Sequence, residues 1–91
     1  MAIIVYVSNA SNSTEIKKRQ QQVAGVLSSL KIPYEVRDID ANESYRQQMH
    51  DGAGPDALTP QLYNGDVYLG DFSGFDEAVE SEELTTFLLL S

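Results

Sequence analysis

The sequence predicts a mixed-sheet α/β domain of four strands in the order β-α-β-α-β-β-α, and three observations carry that prediction. The apolar run "AIIVYV" (2–7) and the later "YEVRDID" (34–40) are separated by a stretch with helical periodicity. Two strands joined through a helix are parallel, with a right-handed crossover. In "LTPQLYNGDVYLGDF" (58–72), Asn64-Gly65 sits between alternating apolar residues, the strongest short signal for an antiparallel hairpin. From Phe72 onward an apolar helical face runs to the C-terminus.

Each element has its own reason. The opening run is β-branched and apolar throughout, as in a strand buried on both faces. After "SNASNST", Asn12 followed by Glu15 resembles a capping box and places a helix start at Ser13. Ile16, Val23, Leu27 and Leu30 then share one face, with Gln20 the polar exception, and the helix ends near Lys31-Ile32-Pro33. Tyr34 and Val36 alternate with polar neighbours as a second strand. Asp40 followed by Glu43 reads as another capping box, opening a helix over "NESYRQQMHD" with Tyr45 and Met49 four apart. "DGAGPDA" (51–57) is a loop. The hairpin strands run over about 60–63 and 66–69, with Pro60 at a strand start or edge. Phe72, Phe75, Ala78 and Val79, then Leu84, Phe87 and Leu88, form the last helical face.

Ninety-one residues, 42% of them hydrophobic and 22% charged, suit one globular domain with a modest core. The longest apolar runs, "MAIIVYV" and "FLLL", are too short to span a bilayer. No basic segment precedes the first of them, so a signal peptide is not expected and the protein is expected to be cytoplasmic, with nuclear entry by diffusion. There is no cysteine, which excludes disulfides, thiolate catalysis and thiolate metal sites. Net charge is −8, unevenly spread: residues 1–46 hold all six Lys and Arg against five acids, whereas residues 47–91 hold nine acids and no base. A nucleic-acid binder needs a basic face, and anionic membranes demand the same, so neither partner is expected. The acidic half reads first as a solubility feature and second as an acidic docking face.

"IIVYVS" running into a helix, "LTPQLYNGDVYLGDF" and "FDEAVESEELTTFL" together resemble the thioredoxin fold in its glutaredoxin form. The match is closer still to the SH3-domain-binding glutamic-acid-rich-like family of small glutaredoxin-like proteins. It rests on "VYVS" followed by "EIKKRQQ", on "TPQLYNGD" followed by "YLGDF", and on "FDEAVE" with its trailing Leu and Phe. The resemblance covers essentially all 91 residues. It implies a three-layer thioredoxin-like fold with a four-stranded mixed sheet.

By the same resemblance, the Cys-Pro-Tyr-Cys motif of glutaredoxins falls on Ser11 to Thr14, where neither cysteine is present. A serine hydroxyl does not ionise near neutral pH and forms no disulfide, so thiol redox catalysis is excluded and the chain is expected not to be an enzyme. The resemblance also makes Thr59-Pro60 the groove proline, with a cis peptide bond, and Thr59 backbone groups available to an extended peptide. The Gly-Gly-x-Asp-type turn that holds the γ-glutamyl end of glutathione reads Gly70-Asp71-Phe72-Ser73. There Asp71 puts a negative charge where a carboxylate would approach, Phe72 adds bulk, and no base precedes the lost motif.

The expected function is therefore that of an adaptor or modulator working by protein–protein contact, in keeping with the modulation of glutaredoxin-type activity that the resemblance implies. The alternative is a glutathione- or peptide-binding module without turnover. The expected surface combines Asn9 to Thr14, Thr59 to Gln61 and Gly70 to Ser73, with Asn12, Ser13, Thr14, Thr59, Pro60, Gly70 and Asp71 as its groove residues. No catalytic residue, metal or cofactor is expected, and the protein partner is not identified. An SH3 domain is not supported as partner, because Pro55 and Pro60 are five apart and make no PxxP core.

Several other signals have plainer explanations. Asp38, Asp40 and Asn42 begin like a calcium loop, but Glu43 and Met49 stand where Gly and Glu are required. Asn9, Asn12 and Asn42 open glycosylation sequons that short polar cap residues produce by chance. His50, the one histidine, fits an exposed helix end. A Ser or Thr nucleophile in the opening loop would lack a base, since His50 lies on a different helix. Lys17-Lys18-Arg19 fits a solvated helix face, and Tyr63 and Tyr68 fit a cross-strand pair.

Overall fold

The computed structural model describes residues 2–90. Its elements are β1 (Ile3–Val7), α1 (Thr14–Ser29), β2 (Tyr34–Asp38), α2 (Glu43–Ala53), β3 (Gln61–Asn64), β4 (Val67–Asp71), α3 (Phe72–Glu80) and α4 (Leu84–Phe87). One sheet runs in the order β2-β1-β3-β4. β1 pairs parallel with β2 and antiparallel with β3, and β3 pairs antiparallel with β4.

The continuous apolar run of β1 follows from its central place: all five residues are buried. Ile3, Val5 and Val7 point to one face and pack with Val23, Leu27, Leu62, Phe75, Ala78, Leu84 and Leu88. Ile4 and Tyr6 point to the other and pack with Ile39, Met49 and Tyr63. Helices α1, α3 and α4 thus cover one face and α2 the other. At about 1.5–3 kcal/mol for each large apolar side chain fully buried, these two clusters are the main source of stability.

Several local expectations are corrected. Ser13, not Asn12, caps α1: its hydroxyl accepts from the Ile16 N–H at 3.2 Å, and Glu15 turns to Arg19 at 3.0 Å instead of closing a capping box. Asn42, not Asp40, caps α2, accepting from Ser44 N–H at 2.9 Å, because Asp40 is engaged elsewhere. The hairpin turn is Gly65-Asp66, one residue later than Asn64-Gly65, so the strands shift to 61–64 and 67–71. Asn64 stays in the strand, its amide donating to the Leu88 carbonyl at 2.8 Å, and Gly65 takes the positive φ of 59°.

Leu30 lies past the last turn of α1 and is exposed. Val36 is also exposed, because β2 is an edge strand. The final helical stretch breaks at Ser81–Glu83, where Glu82 has φ 59°. The short α4 is therefore an addition to the expected element order.

Candidate functional site

Carboxylates anchor the loop after β1. The Asp40 carboxylate accepts from the Ser8 hydroxyl and, at 3.0 Å, from the Ala10 N–H; its other oxygen takes Arg46 Nη2 at 3.0 Å. Asp38 accepts from the Asn9 side-chain amide at 3.0 Å and from the Asp40 N–H at 2.9 Å. The Ser8 and Ala10 bonds, with Arg46, hold the Asp40 carboxyl below its ordinary range. The pair that resembled the start of a calcium loop instead fastens the β2–α2 junction to the β1–α1 junction. In this loop Ser8 donates to Asp40, Ser11 Oγ accepts from the Ser13 N–H at 3.2 Å, and Ser13 caps the helix.

A second anchor joins this loop to the strand β3 shoulder. Gln20 Oε1 accepts from the Ser8 N–H at 2.8 Å and from the Thr59 hydroxyl at 2.6 Å, while Gln20 Nε2 donates to the Ser8 carbonyl at 3.3 Å. The one polar residue on the apolar face of α1 is thus a strut between two loops. Thr59 and Pro60 are buried behind it, and the Thr59-Pro60 peptide bond is cis. The sheet ladder begins at Gln61, so this shoulder lies just beyond the paired strand. Leu58, immediately before it, is 68% exposed.

Beside the shoulder opens a cleft of about 560 Å³, walled by the Ala53–Gln61 segment on one side and by Tyr68, Asp71, Phe72 and Ser73 on the other. Tyr68 donates to Gln61 Oε1 at 2.8 Å across its floor. Burial, with a smaller contribution from Asp71, pushes the Tyr68 phenol upward. Asp71 caps α3, accepting from the Gly74 N–H at 3.0 Å. Gly70 supplies the backbone of the turn: its φ is 149°, and a Cβ there would meet the Phe87 ring at 3.2 Å.

Of the residues expected to form one surface, the structure brings Thr59, Pro60, Gln61, Asp71, Phe72 and Ser73 to this cleft. Gly70, Asn12, Ser13 and Thr14 lie outside its lining. Ala10 and Ser11 instead border a smaller hollow of about 270 Å³ on the far side of Leu58 and Thr59.

That hollow is also lined by His50, which lies in the last turn of α2 as expected but is half-buried rather than exposed. The Ser8 hydroxyl on its rim donates to Asp40. Sequence reasoning missed Arg19, which reaches the main cleft from α1. Its guanidinium stacks over Phe72 at 5.2 Å while paired to Glu15. The four-residue spacing of Glu15 and Arg19 was the available signal. Among the described residues no group of three or more His, Asp or Glu side chains is placed to hold a metal.

The family model of the SH3-binding, glutamic acid-rich proteins matches residues 1–91. Among solved structures, the C. albicans actin interacting protein Aip5 is similar at 23% identity and a TM-score of 0.83, covering 99% of this chain and 90% of that one. The holo form of glutaredoxin C1 from Populus tremula × tremuloides is similar at 18% identity and a TM-score of 0.70, covering 96% and 82%. The buckwheat glutaredoxin–glutathione complex is similar at 13% identity and a TM-score of 0.70, covering 96% and 76%. These likenesses establish the fold as thioredoxin-like, of the glutaredoxin type.

Proposed function

The chain belongs to the SH3-binding, glutamic acid-rich protein family, and from that premise we propose that it is a non-catalytic adaptor or modulator acting by protein–protein contact. The contact surface is the cleft beside Pro60, and the occupant is an extended segment of a partner. The observation that carries this reading is the Leu58–Gln61 shoulder. It sets an exposed leucine beside an open cleft with aromatic walls, while Thr59 and Pro60 themselves are buried and the Leu58 carbonyl is taken by Gln61 Nε2. Such a surface suits an extended segment held by an apolar anchor.

With no cysteine in the chain, the fold has no thiol chemistry at this place. A redox-silent member of the fold can still compete for, or bridge to, the partners of a glutaredoxin-type enzyme, and modulation of that kind is the finer form of the proposal. The name of Aip5, an actin interacting protein, supports a role by contact for this architecture. An SH3 domain is a poor fit as partner, because Pro33, Pro55 and Pro60 make no PxxP core. The proposal places the protein in the cytoplasm, which fractionation of tagged cells would check.

The test is selection of displayed random peptides on the immobilised chain, followed by mapping the strongest binder through amide NMR shifts. Shifts that saturate at Leu58–Gln61 and Phe72–Ser73 are expected. Failure to select any binder, or a footprint confined to the outer edge of β2, overturns the reading. Reduced glutathione titrated to millimolar levels is expected to leave these amides unmoved. Saturable shifts there would favour a glutathione-holding module instead.

A further inference from the structure

The cleft beside Pro60 does not end at Phe72. Past Phe72 and Ser73 it continues into a hollow of about 570 Å³ between α1 and α3, and the two share Arg19, Phe72 and Ser73. The near end has an apolar and aromatic lining in Pro60, Tyr68 and Phe72, with Asp56 and Asp71 beside it. The far end is lined by Asp76, Glu77 and Glu80.

The groove thus sets five carboxylates against one guanidinium, and that guanidinium is already held by Glu15 and by the face of Phe72. None of the five has an ion-pair partner among the described residues. Residues 47–91 contain no Lys or Arg to provide one.

The arrangement is also unfavourable for the helix that carries it. Asp76 and Glu80 are like charges at i,i+4, a spacing that destabilises a helix. Glu77 and Glu80 fall in the last turn of α3, at the negative end of the helix dipole, and no basic residue occupies that turn. A cation delivered from outside would relieve both penalties.

We propose that this continuous groove receives a basic extended segment of a partner protein. The segment runs along the Leu58–Gln61 shoulder, an apolar side chain packs on Leu58, Tyr68 and Phe72, and Lys or Arg side chains reach Asp76, Glu77 and Glu80. The inference rests on the cleft being the protein-contact surface and adds the chemistry of what enters it. It excludes anionic occupants, glutathione and acidic peptides included.

The experiment titrates the full chain with three fluorescein-labelled synthetic peptides: one alternating Lys with Val around a central Leu, the same peptide with Ser for Lys, and the same with Glu for Lys. Anisotropy gives affinity and amide NMR gives the footprint. The Lys peptide is expected to bind about tenfold more tightly than the Ser peptide at low salt, and to lose most of that margin between about 0.05 and 0.5 M salt. The Glu peptide is expected not to bind. The D76N/E77Q/E80Q variant, its fold checked by circular dichroism and thermal unfolding, is expected to bind the Lys and Ser peptides equally.

Equal binding of the Lys and Ser peptides to the unaltered chain, with shifts at Leu58–Gln61, overturns the basic partner and leaves the contact surface standing. No response at Leu58–Gln61 or Phe72–Ser81 to any peptide overturns both. Unsaturable Lys-peptide shifts spread over Asp51, Asp66, Glu82 and Glu83 mark diffuse ion association and overturn the groove as the basic site.

Discussion

Replacing Gln20 with alanine tests whether one side chain holds the opening loop and the Pro60 shoulder together. The substitution removes the acceptor of the Ser8 N–H at 2.8 Å and of the Thr59 hydroxyl at 2.6 Å, together with the weaker bond to the Ser8 carbonyl at 3.3 Å. Thr59 is only 6% exposed, so its hydroxyl loses its partner where water does not readily replace it. An orphaned buried donor costs about 1–3 kcal/mol. Ser8 is half-buried and can be rehydrated in part, which places the whole effect at about 2 kcal/mol.

For a domain of this size that corresponds to a melting-point drop of roughly 8–16 °C. Urea unfolding, with the slope unchanged, measures the loss directly. A double-mutant cycle with Thr59→Val isolates the shared bond, with an expected coupling of about 1 kcal/mol. A loss below about 0.5 kcal/mol for Gln20→Ala, or strict additivity in the cycle, would refute the strut.

Three further outcomes can be checked on the same preparation. Gly52→Ala adds a methyl against the Tyr63 hydroxyl and 2.8 Å from its ring carbon. It is therefore expected to destabilise by about 1–3 kcal/mol despite alanine's better helix propensity, and by less in a Tyr63→Phe background, as read by chemical denaturation. Asp71→Ala removes the α3 cap at an expected cost of about 1 kcal/mol, whereas Asp71→Asn keeps the acceptor for the Gly74 N–H and is expected to melt within a few degrees of the parent. Asp40 has a lowered folded pKa, so its stabilisation is full above the unfolded carboxylate range and is lost as pH falls through the lowered value. The Ala10 amide shift is expected to report an Asp40 midpoint below the ordinary aspartate range, and Asp40→Asn to flatten the acid limb of stability; a normal midpoint would contradict the anchor.

What was legible in the sequence was what local periodicity controls. The fully apolar β1, the crossover to β2 and the hairpin were readable because burial on two faces and turn chemistry leave a mark within a few residues. The misplacements came from side chains whose partners are distant in the chain. Asp40 looked like a helix cap because Glu43 follows it, yet its partners are Ser8 and Ala10, some thirty residues away. Gln20 read only as the polar exception on an apolar face, and its meaning lies in Thr59. Within the candidate site, Thr59, Pro60 and Asp71 could be placed by resemblance. Arg19 was marked only by its four-residue spacing from Glu15, because a lysine-rich helix face does not otherwise show which cation reaches the cleft.

The distribution of partners, more than the net charge of −8, separates structural carboxylates from available ones. Glu15, Glu35, Asp40 and Glu43 are each within 4 Å of an arginine, and Asp38 is bonded to Asn9. Those pairs engage all three arginines, and every one of these acids lies in residues 1–46. Were the acidity of the second half there only for solubility, its carboxylates would need no particular placement and would gain from scattering. Three of them instead line one hollow at adjacent and i,i+4 positions near a helix C-terminus, where self-repulsion and the dipole both oppose them. Solubility does not require that arrangement, whereas a cationic partner in the groove gives it a use. The salt dependence of the Lys peptide on the unaltered chain and on D76N/E77Q/E80Q tells the two apart. A solubility feature predicts equal, shallow slopes, and a built groove predicts a steep slope that the triple substitution removes.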